Sequence, residues 1–202
     1  MASLSSSAQR PATSYVIDAG RSRFEVRASA TGLLSAFGHN PTIAIRNFTG
    51  EAWLRPQSPE MSSLRVEIDP GSLVVTGQGN DKDRREMERA MHEEVLETRR
   101  YREIRLVSSA IEASRTGEGL YRMKILGKLT LHGVERELEI PCTVIAGEDF
   151  LRANGEFSIR QSDYGIRPIS AVGGSIRLKD ELKFRFDIVA GRRPEENDAP
   201  TA

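Results

Sequence analysis

Three histidines, one cysteine and four tyrosines are the side chains with which this sequence could do acid–base, nucleophilic or metal chemistry. His39, His92 and His132 stand far apart, and none has a second imidazole at the His-x-x-x-His spacing that places two ligands on one helical face. A metal site therefore has no local signature. The lone Cys142 excludes an internal disulfide framework and a cysteine-rich zinc site within one chain. It also alternates with Leu138, Ile140 and Val144, which turns it toward a core. His39 follows Gly38 and precedes Asn40-Pro41, where an imidazole either hydrogen-bonds a turn or meets the polar end of a ligand. Paired with Tyr164 it would form an acid/base couple for a small hydrophobic substrate, provided both groups reach one reacting atom. His132 is expected to make a local hydrogen bond in a hairpin, and His92, next to Met91, to be solvated or at a rim. Arg160 and Asp163-Tyr164-Gly165 either orient a head group or, in the case of Tyr164, pack over the glycine. There is no phosphate-binding loop, no Gly-x-Ser-x-Gly elbow and no suggestive carboxylate pair, and Gly173-Gly174 lacks a strand–glycine–helix setting. No cofactor is expected.

The rest of the sequence bounds what such residues could serve. With 202 residues, 38% of them hydrophobic, the chain suits one domain with a single sizeable core. Its 29 basic and 29 acidic residues cancel, so it exerts no long-range pull on a polyanion, and nucleic acid is not an expected partner. The charge run Asp81 to Arg85, with Arg89, Arg99, Arg100 and Arg102 nearby, has mixed sign and reads as a solvated face. The uncharged stretch Ala28 to Ile45 is interrupted by Gly32, Gly38 and Pro41 and does not read as an integral membrane segment. Residues 1–14 lack the apolar region of a secretory leader. A soluble, cytoplasmic protein is expected, with disordered tails at 1–14 and 191–202 around one domain at 15–190; a homodimer is possible.

Within that domain the dominant period is two, in which alternate residues face opposite sides of a sheet. Eight strands are predicted, near residues 22–30, 42–54, 64–68, 103–111, 120–131, 136–146, 150–161 and 182–188. In the second, the apolar set moves from Ile43 and Ile45 to Phe48, which predicts a bulge near Asn47. His132-Gly133 predicts a hairpin. The exception is 81–98, free of glycine and proline, where Met87, Met91 and Val95 recur every fourth residue and Asn80 or Asp81 could cap a helix.

An all-β chain with polar outer faces leaves one interior, either a sandwich or a closed barrel. The inward candidates are Phe24, Val26 and Ala28; Ile43 and Ile45; Val66 and Ile68; Ile104 and Leu106; Met123, Ile125 and Leu129; Phe157 and Ile159; Phe184 and Phe186. An eight-stranded barrel is either filled by such side chains or keeps room for a ligand.

Specific residues narrow the choice. Tyr15-Val-Ile-Asp18 followed by Ser22-x-Phe24-x-Val26, then Gly127-x-Leu129-Thr-Leu-His-Gly-Val134, then Gly155-x-Phe157-x-Ile159-x-Gln-Ser-Asp163-Tyr-Gly-Ile166, together resemble the YceI-like family. The Phe37-Gly38-His39 and Ala171-Val-Gly-Gly174 elements resemble a cytosolic branch of it. The resemblance implies an eight-stranded antiparallel lipocalin-like barrel with an inserted amphipathic helix, binding polyisoprenoids or related long-chain amphiphiles. The reading that follows is a non-enzymatic carrier of a polyisoprenoid, quinone or fatty acid or amide. The ligand would be held by Phe24, Val26, Phe37, His39, Ile43, Ile45, Met87, Met91, Ile104, Leu106, Met123, Ile125, Phe157, Ile159, Tyr164 and Phe184, with His39 at the cavity entrance and the methionine-bearing helix as a cover. An enzyme using His39, or a barrel packed solid, are the alternatives.

Overall fold

The computed structural model describes residues 12–31, 40–77, 81–168, 170–171 and 176–194. Phe37, His39, Asn80, the Val172-Gly-Gly174 glycines and most of both expected tails lie outside them. The described strands are β1 (Thr13–Ile17), β2 (Arg23–Thr31), β3 (Thr42–Ile45), β4 (Phe48–Leu54), β5 (Ser63–Ile68), β6 (Leu73–Thr76), β7 (Ile104–Gly117), β8 (Leu120–Leu131), β9 (Val134–Ala146), β10 (Phe150–Arg160), β11 (Ser170–Ala171) and β12 (Ile176–Arg192). One helix, α1 (Asp81–Ala90), follows β6. β1 therefore begins within the expected N-terminal tail, and β12 ends within the C-terminal one.

These segments form a closed antiparallel barrel of eight staves, because three staves are each broken in two. The closed ring runs β1-β4-β5-β7-β8-β9-β10-β12 and back to β1. Toward the other end, β12 pairs with β2, β2 with β3 and β3 with β6, so β2, β3 and β6 continue the staves begun by β1, β4 and β5. The breaks fall at Asp18–Ser22, Arg46–Asn47 and Asp69–Ser72, where short polar side chains satisfy backbone groups that a ladder would otherwise pair. Ser22 Oγ donates to Asp18 O (2.6 Å) and accepts from Val189 N (2.9 Å). Asn47 N donates to Ser72 Oγ (2.9 Å), and Asp69 N donates to Asn47 O (3.0 Å). The breaks at Arg46–Asn47 and Asp69–Ser72 are thus tied together, while that at Asp18–Ser22 is tied to β12. The bulge expected near Asn47 is a full interruption for this reason, and β1 and β6 are staves that alternation over so few residues did not reveal.

The hairpin at His132-Gly133 is as expected. Both residues have positive φ, 53° and 76°, which is the two-residue turn that matches strand twist. A second irregularity lies in β7, whose pairing with β8 shifts between Ser108 and Ala110. The shift changes the inward phase from Ile104 and Leu106 to Ile111. The helix differs from its expected span: α1 stops at Ala90 and continues as one π-helical turn from Met91 to Val95, with Leu96 N donating to Met91 O (2.9 Å). The wider turn brings Val95 and Leu96 together onto the barrel interior. Among the described residues, no helix is long and apolar enough to cross a membrane.

Candidate ligand-binding cavity

The barrel interior holds a cavity of about 910 Å³, near the upper end of the roughly 300–1,000 Å³ usual for small-molecule sites. A solid core is therefore not the arrangement. Phe24, Val26, Ile43, Ile45, Ile104, Leu106, Met123, Ile125, Phe157 and Phe184 line it, as do Met87 and Met91 from the helix side. Ile159 and Tyr164 are buried in the core cluster at the helix end, together with Val26, Ile45 and Met91, and are not among the residues that border the cavity.

Sequence alternation overlooked other parts of the wall. Phe48, Leu73 and Val75 belong to broken staves, Ile111 follows the β7 bulge, and Leu96 is brought in by the π turn. Gln161 could have been found, since it continues the alternation of Phe157 and Ile159.

Five phenylalanines form one side of the wall. Phe157 stacks on Phe184 with centroids 4.8 Å apart and an 11° interplanar angle, and Phe24 meets Phe48 edge-on at 5.8 Å. Phe186 lies over Gly155, where any Cβ would meet its ring at 2.7 Å and the Pro141 carbonyl closer still. A glycine at this inward position gives the ring its place.

The cavity extends along most of the barrel. From Leu151 to Gln161, both on its wall, β10 advances about 34 Å, or about 26 Å along the axis at a tilt of roughly 40°. At one end the helix and its π turn border the opening, with Asp83, Glu86, Arg89 and Glu94 among the bordering residues. Arg89 is engaged by Glu93 (3.3 Å) and Glu94 (3.7 Å). Trp53 and Ser63, a cross-strand pair, border the other end near Glu51, which is salt-bridged to Arg193.

The helix is attached to β6 by side chains. On its outer side β6 has no strand partner among the described residues, so some of its backbone groups face α1. Val75 N donates to Glu88 Oε1 (2.8 Å), and His92 Nε2 lies 3.0 Å from Leu73 O. A carbonyl only accepts, so Nε2 carries the proton. Glu88 and His92, four residues apart, thereby replace a ladder along this edge. The sequence left His92 either solvated or at a rim, and in the structure it anchors the helix.

His132 and Cys142 are held by other parts of the fold. His132 Nε2 lies 3.0 Å from Glu97 Oε2, and its ring is 4.1 Å from that of Tyr101. This contact joins the β8–β9 turn to the segment after the helix and is not the local bond expected. Cys142 is buried as expected, and burial pushes its thiol pKa up to about 11. Burial also raises the Tyr164 and Tyr15 phenols above their ordinary value. His39 lies outside the described residues, so no distance relates it to Tyr164. Among the described residues, no three His, Cys, Asp or Glu side chains gather to hold a metal ion.

The one buried polar side chain among the described residues is Gln161. It opens the 3-10 turn Gln161–Tyr164 at the helix end of β10. Its Nε2 donates to Lys179 O (3.0 Å). Asp180 accepts from Ser162 N (2.8 Å) and Ser162 Oγ (2.6 Å), and these bonds hold its carboxyl below the ordinary carboxylate range. Residues 179 and 180 lie where the β12–β2 register shifts between Leu178 and Leu182. The irregularity in β12 thus fixes the turn carrying Gln161.

Comparison with known proteins agrees with this architecture. The model of the YceI-like domain matches residues 15–190. The fold resembles that of Burkholderia cenocepacia BcnA, at 18% identity and a TM-score of 0.64 over 86% of this chain and 98% of that one. It also resembles a polyisoprenoid-binding domain from Saccharophagus degradans implicated in plant cell wall breakdown, at 13% identity and 0.61 over 90% and 99%. The Campylobacter jejuni YceI protein follows at 15% identity and 0.55 over 75% and 84%. No curated protein sequence matches significantly.

Proposed function

The chain belongs to the YceI-like family, and from that premise we propose that it is a non-enzymatic carrier that sequesters a long-chain amphiphile with its apolar chain inside the barrel. The observation that carries this reading is the cavity itself, apolar along its length and about 910 Å³ in volume. Its axial extent of about 26 Å exceeds the roughly 15 Å of one leaflet of a bilayer's hydrocarbon core, which suits a chain longer than an ordinary acyl tail. A structural neighbour being a polyisoprenoid-binding domain supports the same ligand class. Each methylene withdrawn from water contributes about 0.8 kcal/mol, against about 1 kcal/mol for a neutral hydrogen bond, so chain burial sets affinity and the head group sets orientation. The methionines of the helix side suit a variable apolar surface, because an unbranched thioether adapts to irregular shapes.

The test is extraction of the natively purified protein with organic solvent followed by lipid mass spectrometry. A stoichiometric long-chain lipid is expected. A sample free of lipid that also fails to take up added prenyl or alkyl chains would overturn the reading.

A further inference from the structure

Gln161 stands out against its surroundings. It is 4% exposed and lies on the wall of a cavity whose other polar lining is at the two ends. The contact with Lys179 O fixes which way the amide faces, because that carbonyl requires the NH₂ group as its donor. Among the described residues, no hydrogen bond to the amide oxygen Oε1 accompanies the Nε2 contact. Gln161 borders the cavity, so that oxygen is available to a ligand there. An amide oxygen withdrawn from water and left unpaired is costly, and the cost is recovered when a ligand supplies a donor.

The charges at the same end of the cavity act in the same direction. Asp83, Glu86 and Glu94 outnumber Arg89 among the bordering residues, and Arg89 is already engaged by Glu93 and Glu94. A diphosphate or carboxylate head group would meet a net negative border, whose one arginine among the described residues is already engaged. A quinone or an ester, which only accepts hydrogen bonds, would bring no donor to Oε1.

On the reading that this barrel carries a long-chain amphiphile, we propose that Gln161 selects ligands whose head group is a neutral hydrogen-bond donor, above all a hydroxyl, which donates to Oε1 while the chain runs away from the helix toward Trp53. The helix anchored by Glu88 and His92 then lies over the head group. Gln161 is a specificity-determining residue in this arrangement, and the turn held by Asp180 and Lys179 O positions it.

The experiment compares 1-hexadecanol, its methyl ether and hexadecanoate, which share one chain and differ at the head, by titration against the full chain. Fluorescence of Trp53, the only tryptophan, is the readout. The alcohol is expected to bind about five- to tenfold more tightly than the ether, the usual worth of one hydrogen bond, with hexadecanoate weaker than the alcohol. Gln161→Leu is expected to bind alcohol and ether alike. Equal binding of alcohol and ether by the unmodified protein would overturn the proposal while leaving the carrier reading intact, whatever the variant's folding. A preference for the alcohol that survives Gln161→Leu would overturn it too. Failure of all three ligands to bind would remove the carrier reading and this inference together.

Discussion

Removing the carboxylate of Glu88 tests how the helix is held over the cavity. In the folded chain, Glu88 Oε1 accepts from Val75 N at 2.8 Å, a charge-assisted bond on a strand edge. Bonds of this kind contribute about 1.5–3 kcal/mol when partly buried. His92, one turn on, adds a second contact to Leu73 O. Glu88→Ala should therefore raise the population in which the helix is detached from β6 by roughly ten- to a hundred-and-fiftyfold, from about 1.5–3 kcal/mol of lost attachment. The barrel itself should stay closed, since the ring β1-β4-β5-β7-β8-β9-β10-β12 does not involve the helix. Hydrogen exchange measures this directly: amides of α1 and the π turn, including that of Leu96, should exchange correspondingly faster while those of β8 and β9 keep their protection. Ligand dissociation should accelerate in parallel. Glu88→Gln, which retains an accepting oxygen, should show a smaller change. Unaltered exchange across α1 in Glu88→Ala would refute the side-chain attachment, and faster exchange without faster ligand release would refute the helix as a cover.

Further outcomes follow from the same geometry. Gly155→Val places side-chain atoms where the Phe186 ring and the Pro141 carbonyl already stand, so it should cost about 1–3 kcal/mol and lower Tm by several degrees in thermal denaturation. Cys142, buried with its thiol pushed up to about 11, should resist alkylation at pH 8 in the folded protein and react fully in guanidinium. The carboxyls of Asp180 and Asp187 are held below their ordinary 3.8, by Ser162 and by Arg152 respectively. A depressed folded value gives stability that is present above 3.8 and lost as the pH falls through the lower, folded value. Ser162→Ala should raise the Asp180 value toward 3.8, measured by NMR titration of its side-chain carboxyl.

The long staves were legible in the sequence because their alternation lasts long enough to identify an inward face. Over β8 the run Met123, Ile125, Leu129 gives the wall directly, and His132-Gly133 gives the turn that follows it. The opening Tyr15-Val-Ile and the short Leu73–Thr76 were not recognised as strands. Each is only part of a stave, and its partner segment lies beyond a polar break. Phase changes concealed other wall residues: Ile111 after the bulge in β7, and Leu96 after a π turn that a regular heptad-like spacing does not anticipate. Gln161 shared the parity of Phe157 and Ile159, yet periodicity counts apolar residues and passes over a polar one.

The central claim is that this barrel keeps water from an apolar chain, and the dependence of affinity on chain length tests it most directly. Titration of straight-chain alcohols of increasing length should show each added methylene tightening Kd about fourfold, from roughly 0.8 kcal/mol apiece, until the cavity is full. A Kd that does not change with chain length would contradict the account, because it would place the chain outside the barrel.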